Sequence, residues 1–140
     1  MARIARQQSY VQFTVGEGLY ALPLSVVEGV AALPEIVAVP GTNSRIMLGL
    51  AYIVGQIMTV VDIAPLFNRG ATEHARQVLI VQADGEYYAI KADSVGSVIT
   101  TASFSEKPST HDEYSAGVLM IKDRSGIILN VPKLVQTICS

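Results

Sequence analysis

The chain has 140 residues, with ten lysines and arginines against twelve aspartates and glutamates, and a net charge of −2. Half of the residues are hydrophobic, only 6% are aromatic, and tryptophan is absent; such a composition buries a core and argues against global disorder. No basic run is present to follow a phosphate backbone, which excludes a nucleic-acid footprint, and no strongly acidic face is encoded for basic partners.

The opening "MARIARQQSY" has two arginines and no long apolar run behind them, so it does not read as a signal peptide. At 10–15, "YVQFTV" alternates apolar and polar residues and predicts a half-buried strand. "GEG" follows as a turn and "LYALP" as a second strand. The segment 25–32, "SVVEGVAA", reads as a short helix, although Gly29 weakens it by about 1 kcal/mol relative to alanine. "EIVAV" at 35–39 reads as a strand that Pro40 and Gly41 end, and "TNSRIM" as a loop into the next strand.

The stretch 49–63, "GLAYIVGQIMTVVDI", carries no charge before Asp62. It is short for a membrane-spanning helix and is broken by Gly49, Gly55, Gln56 and Thr59. Its β-branched residues and central Gly-Gln favour two strands paired across Gly55. Pro65 starts a helical turn. The segment 68–76, "NRGATEHAR", is a polar linker.

Beyond the linker the pattern returns. "VLIVQADGEYYAIKADSVGSVIT" lies under "VQFTVGEGLYALPLSVVEGVAAL", sharing strand, turn, tyrosine, strand and a following Ser-Val segment. "AGVLMIKDRSGIILNVPKLV" lies loosely under "GLAYIVGQIMTVVDIAPLF", so that Asn130 falls where the first half has Asp62. The repeat predicts two copies of a small, mostly antiparallel barrel, each marginal alone and sharing an apolar interface. A long polar loop, 102–115, interrupts the second copy, and "PKLVQTICS" closes the chain as a short packed helix.

Chemistry needs a constellation. His74 and His111 have no ligand spacing to each other or to Cys139, so no metal is expected. Cys139, beside the C-terminus, lacks the support a nucleophile needs and reads as a helix end; a lone cysteine also forms no intrachain disulfide and suits a reducing compartment. Asp62 stands as either a buried base or a turn cap; because the repeat tolerates an amide at this place, the cap is favoured. The glycines fit no phosphate-binding spacing. No catalytic residue and no cofactor is expected.

These residues, from about Tyr10 to Ile138, resemble the CheW-like domain family of bacterial chemosensory arrays. The best match is "GLAYIVGQIMTVVDI", where the family reads Gly, apolar residues, Asn-Leu-Arg-Gly, apolar residues and Val-Asp-Leu. The order "F.…Y.LP…VV..V…VP" is similar too. The resemblance implies an all-β fold with short helices, in two SH3-like five-stranded barrels: one CheW-like domain over 1–140, with subdomains at about 10–68 and 77–140 about the linker. It implies a cytoplasmic, non-enzymatic scaffold that couples chemoreceptor cytoplasmic tips to the regulatory domain of a CheA-type histidine kinase, with self-association also open and no membrane insertion.

On that resemblance the kinase-facing residues are Asn43, Ser44, Arg45, Tyr52, Val54 and Gln56, and the receptor groove is built by Val27, Val30, Ile57, Val98 and Leu119. The chain departs from the family at two places. Tyr52-Ile53-Val54-Gly55 replaces Asn-Leu-Arg-Gly, and Gly29 stands where a glutamate is usual, with Glu28 adjacent. Joint loss of two paired charges is close to neutral for folding, whereas loss of one would strand the other. The departure raises the alternative of a divergent adaptor in another array, such as one for type IV pilus twitching, or a self-assembling one. A small-ligand barrel or an enzyme is the contrasting class; Asp62 beside His111 or Cys139 would favour it.

Overall fold

Four hairpins with two-residue turns carry most of the structure, a computed structural model that describes residues 8–39, 46–67, 75–101 and 113–139. Asn43, Ser44, Arg45, His74 and His111, most of the linker and loop, and the Cys139 side chain lie outside the described residues. The first hairpin is β1 (Gln8–Val15) and β2 (Gly18–Pro23). A 3-10 turn, Leu24–Val26, leads into β3 (Val27–Ala32). β4 (Met47–Ile53) and β5 (Gln56–Val61) form the second hairpin, followed by a 3-10 turn at Ala64–Phe67. β6 (Gln77–Ala83), β7 (Glu86–Ala92) and β8 (Ser94–Thr101) repeat the first three strands. β9 (Ser115–Ile121), β10 (Arg124–Leu129) and helix α1 (Val131–Cys139) repeat the rest.

The strands assemble into two five-stranded sheets, ordered β8-β1-β2-β10-β9 and β3-β6-β7-β5-β4. Each sheet takes the first two strands of one half of the chain and the last three of the other. The two halves are strand-exchanged, so that the linker at 68–76 does not divide one sheet from the other. The expected class holds: the chain is mainly β, with short helices and two SH3-like sheets. The parallel contacts that join the halves match as well. β10 runs beside β2 with Ile127 opposite Tyr20, and β5 runs beside β7 with Thr59 opposite Tyr88.

The helix expected over 25–32 is a strand after its first turn. Val27 and Val30 are β-branched, Gly29 opposes helix, and β6 offers an open edge with which β3 pairs antiparallel. Likewise, "EIVAV" contributes one bridge rather than a strand, Val37 to Leu50. The expected turn at Pro65 and the terminal helix are present.

Among the described residues three apolar clusters hold the sheets. The largest lies between them and includes Phe13, Tyr20 and Leu22 from one sheet, and Val61, Leu79 and Ile90 from the other. Leu134 and Val135 of α1 close it. Two smaller clusters fill the inner faces, one around Val60, Val78 and Ala89, the other around Ala21, Leu119 and Ile128. Each fully buried aliphatic side chain contributes about 1.5–3 kcal/mol, so the shared cluster is the main reason neither sheet stands alone. Among the described residues no helix is long and apolar enough to cross a membrane.

Candidate functional site

Asp62 is the turn cap that the repeat favoured. Asp62 is 2% exposed, and its Oδ1 accepts a hydrogen bond from the Ala64 N–H at 3.0 Å, capping the turn that follows. At the equivalent place Asn130 Oδ1 accepts from the Lys133 N–H at 3.2 Å, at the start of α1. Both side chains satisfy backbone donors that a helical start leaves open. Asp62 is therefore engaged by nearby backbone, the arrangement that counts against a reaction centre.

Exposed apolar residues instead collect on the β4–β5 hairpin. Tyr52 and Ile57 stand directly opposite each other, 71% and 70% exposed. Between them the chain turns through Val54 and Gly55, both at positive φ (48° and 80°), and Val54 is 82% exposed. Positive φ at both central residues is the two-residue turn that matches strand twist.

One depression of about 470 Å³ lies on each residue of the Tyr52–Ile57 pair and on Pro34, Glu35, Val37 and Leu50. Val37 is held there because its N–H donates to the Leu50 carbonyl and its carbonyl accepts from the Leu50 N–H, both at 2.8 Å. Gly49 makes this approach possible: a Cβ there would collide with the Val37 carbonyl. Among the described residues Glu35 is the single carboxylate on a mainly apolar wall.

A second depression, of about 260 Å³, is lined by Glu28, Gly29, Val30, Val54, Gln56 and Tyr87, over Met58 and Ile80. It brings together the two positions at which the chain departs from the family pattern, Gly29 and Val54. The sheet thus curls until β3 and the β4–β5 turn share one concavity. Glu28 reaches it through a β-bulge: Val27 opposes Val81 and Gly29 opposes Ile80, leaving Glu28 as the extra residue.

The expected groove residues divide. Val27 and Val30 on β3 oppose Val81 and Leu79, whereas Val98 on β8 opposes Val11. Their partners all belong to the cluster between the sheets, and opposed residues share a face. Val30 and Val98 are exposed valines on edge strands; Val27 packs against the shared core, and Val30 also lines the depression that holds Val54. Ile57 lies instead with Tyr52. Leu119 is a correction: at 1% exposure it fills an inner cluster and offers no surface to a partner. An alternating strand, "SAGVLMI", buries every second residue, and Leu119 falls on the buried set while Met120 is exposed.

Sequence reasoning missed Val37, Leu50 and Tyr87 as wall residues. Their positions depend on the bridge at Val37 and on sheet curl, which no local pattern encodes.

The CheW-like domain model matches residues 9–139. The chain belongs to the CheW-like domain family. Among solved structures it is similar to the scaffolding protein TtCheW from Thermoanaerobacter tengcongensis, at 26% identity and a TM-score of 0.77, over 89% of this chain and 90% of that one. No curated protein matches. For this CheW-like chain, membership accounts for the paired five-stranded sheets.

Proposed function

We propose that this CheW-like chain is a cytoplasmic, non-enzymatic scaffold that couples chemoreceptor cytoplasmic tips to the regulatory domain of a CheA-type histidine kinase. The observation that carries the reading is a pair of adjoining apolar surfaces on one framework, which meet at Val30. One is bordered by Val27, Val30 and Val98; the other is the Tyr52–Gln56 turn. The first suits the apolar face of a helical receptor tip lying in a groove. The second suits the kinase domain, with Tyr52, Val54 and Gln56 as contacts and Asn43, Ser44 and Arg45 as further candidates outside the described residues. The similarity to a scaffolding protein supports the same reading. Binding of the purified chain to a kinase regulatory domain and to a receptor-tip helix tests it; capture of neither removes it.

The divergent adaptor is the second reading, in another array such as one for twitching, or self-assembling. It is favoured by Val54 and Gly29 meeting in one concavity where a charged pair would otherwise sit. A Cβ on Gly29 would meet only Ile80, at 4.0 Å, so a glutamate is sterically admissible. Val54→Arg with Gly29→Glu is expected to strengthen binding to an ordinary chemotaxis kinase. Unchanged affinity in calorimetry would separate partner choice from the missing pair.

A further inference from the structure

Four two-residue turns close the hairpins: Gly16-Glu17, Val54-Gly55, Asp84-Gly85 and Lys122-Asp123. Three of them present polar or charged side chains to water. The Val54 turn presents an isopropyl group, almost wholly exposed, on a backbone at φ 48°. A β-branched residue at positive φ is an outlier, because its Cβ substituents crowd the neighbouring carbonyls. Folding alone favours asparagine, aspartate or glycine there, as at Asp84-Gly85. Valine costs backbone strain and buries nothing within the chain. Strain kept at an exposed apolar side chain points toward a contact made outside the chain.

Among the described residues the neighbouring concavity carries one charge. Glu28 is exposed, stands out of the strand ladder at its bulge, and has no cation paired with it among the described residues. The remaining walls named above are apolar or, at Gln56, neutral. Among the described residues this is an apolar projection beside one carboxylate with no paired cation, which is complementary to an apolar socket with a cation on its rim.

We propose that the Val54 tip and the Glu28 concavity together dock a protein surface that offers an apolar socket flanked by a lysine or arginine. The proposal rests on the kinase-coupling reading and specifies the chemistry of the kinase's contacting face. Val54 enters the socket, and the partner's cation meets Glu28. Affinity comes mainly from apolar burial, and register comes from the one ion pair.

The full chain, Val54→Asn and Glu28→Gln are titrated by calorimetry with the regulatory domain of a CheA-type kinase at low and high salt. Each is also titrated with a receptor-tip helix and melted alone. Val54→Asn is expected to melt higher than the parent yet bind the kinase domain at least tenfold more weakly, with receptor-tip binding unchanged. Opposite movement of stability and affinity is a result that a purely structural role for Val54 does not produce. Glu28→Gln is expected to bind severalfold more weakly at low salt and to lose the salt dependence.

Val54→Asn binding the kinase domain as tightly as the parent, or melting no higher, overturns the proposal. So does Glu28→Gln with unchanged affinity and salt slope. If the parent chain binds both partners and the variants behave like it, only this inference falls; if the parent binds neither, the coupling reading falls with it. Sedimentation of the parent chain supplies the last arm: self-association that Val54→Asn abolishes, with kinase binding intact, assigns the tip to a second copy and overturns the proposal.

Discussion

Val54 and Asp62 lie eight positions apart and illustrate two opposite uses of a residue that breaks its local pattern. Val54 is strained and exposed. Replacing it with asparagine removes β-branching at positive φ and should raise stability by about 1 kcal/mol, a gain of a few degrees in a thermal melt. Asp62 is buried and engaged. Asp62→Ala leaves the Ala64 N–H without its acceptor and should cost about 1–2 kcal/mol in urea denaturation. Asp62→Asn should stay close to the parent, since Asn130 already caps the equivalent turn as an amide. Equal losses for the two variants would mean that the negative charge, rather than the acceptor, matters. The cap was legible in the sequence because the repeat placed Asn130 over Asp62. The strain at Val54 was not, because φ is a property of the closed turn.

At the scale of elements, the misread segment is 25–32. Its spacing is compatible with a helix, and the competing information was that β6 has a free edge to fill. The segment's own repeat partner, β8, pairs with β1 in the same manner and carries a matching bulge. The edge of β4 is managed differently. Val37 pairs with Leu50 at a single bridge, and this depends on Gly49, whose φ of 151° and missing Cβ admit the Val37 carbonyl. Gly49→Ala should therefore destabilise by more than about 1 kcal/mol and should expose the Leu50 amide to faster hydrogen exchange. Normal protection at Leu50 would show that the bridge survives without the glycine. The wall containing Val37, Tyr52 and Ile57 exists only while this bridge holds.

At the scale of the whole molecule, strand exchange makes the halves interdependent. β1 and β2 pair with β8 and β10, whereas β6 and β7 pair with β3 and β5. Unfolding one half removes strands from both sheets. The chain is expected to unfold in one transition, with far-ultraviolet and tyrosine near-ultraviolet dichroism coincident in urea. Leu79, wholly buried in the cluster between the sheets, tests this: Leu79→Ala should cost about 2–5 kcal/mol and shift both signals together. Two separated transitions would refute the interdependence. A framework that does not open piecemeal also holds β3, β8 and the Val54 turn in fixed relation, which the proposed coupling role would use.

While five strands per unit came from the family resemblance, the sequence by itself determined the hairpins, the repeat of a small, mostly antiparallel unit, the two caps and the uncharged stretch around Val54. These are local: alternation, turn chemistry and spacing are read over a few residues at a time. Only the tertiary structure decided that the halves trade strands, that Leu119 is core, and that Gly29, Glu28 and Val54 meet in one concavity. Those facts follow from which edge each strand finds and how far each sheet curls. Both are set by burying the shared cluster, a long-range energy that no short stretch of chain contains.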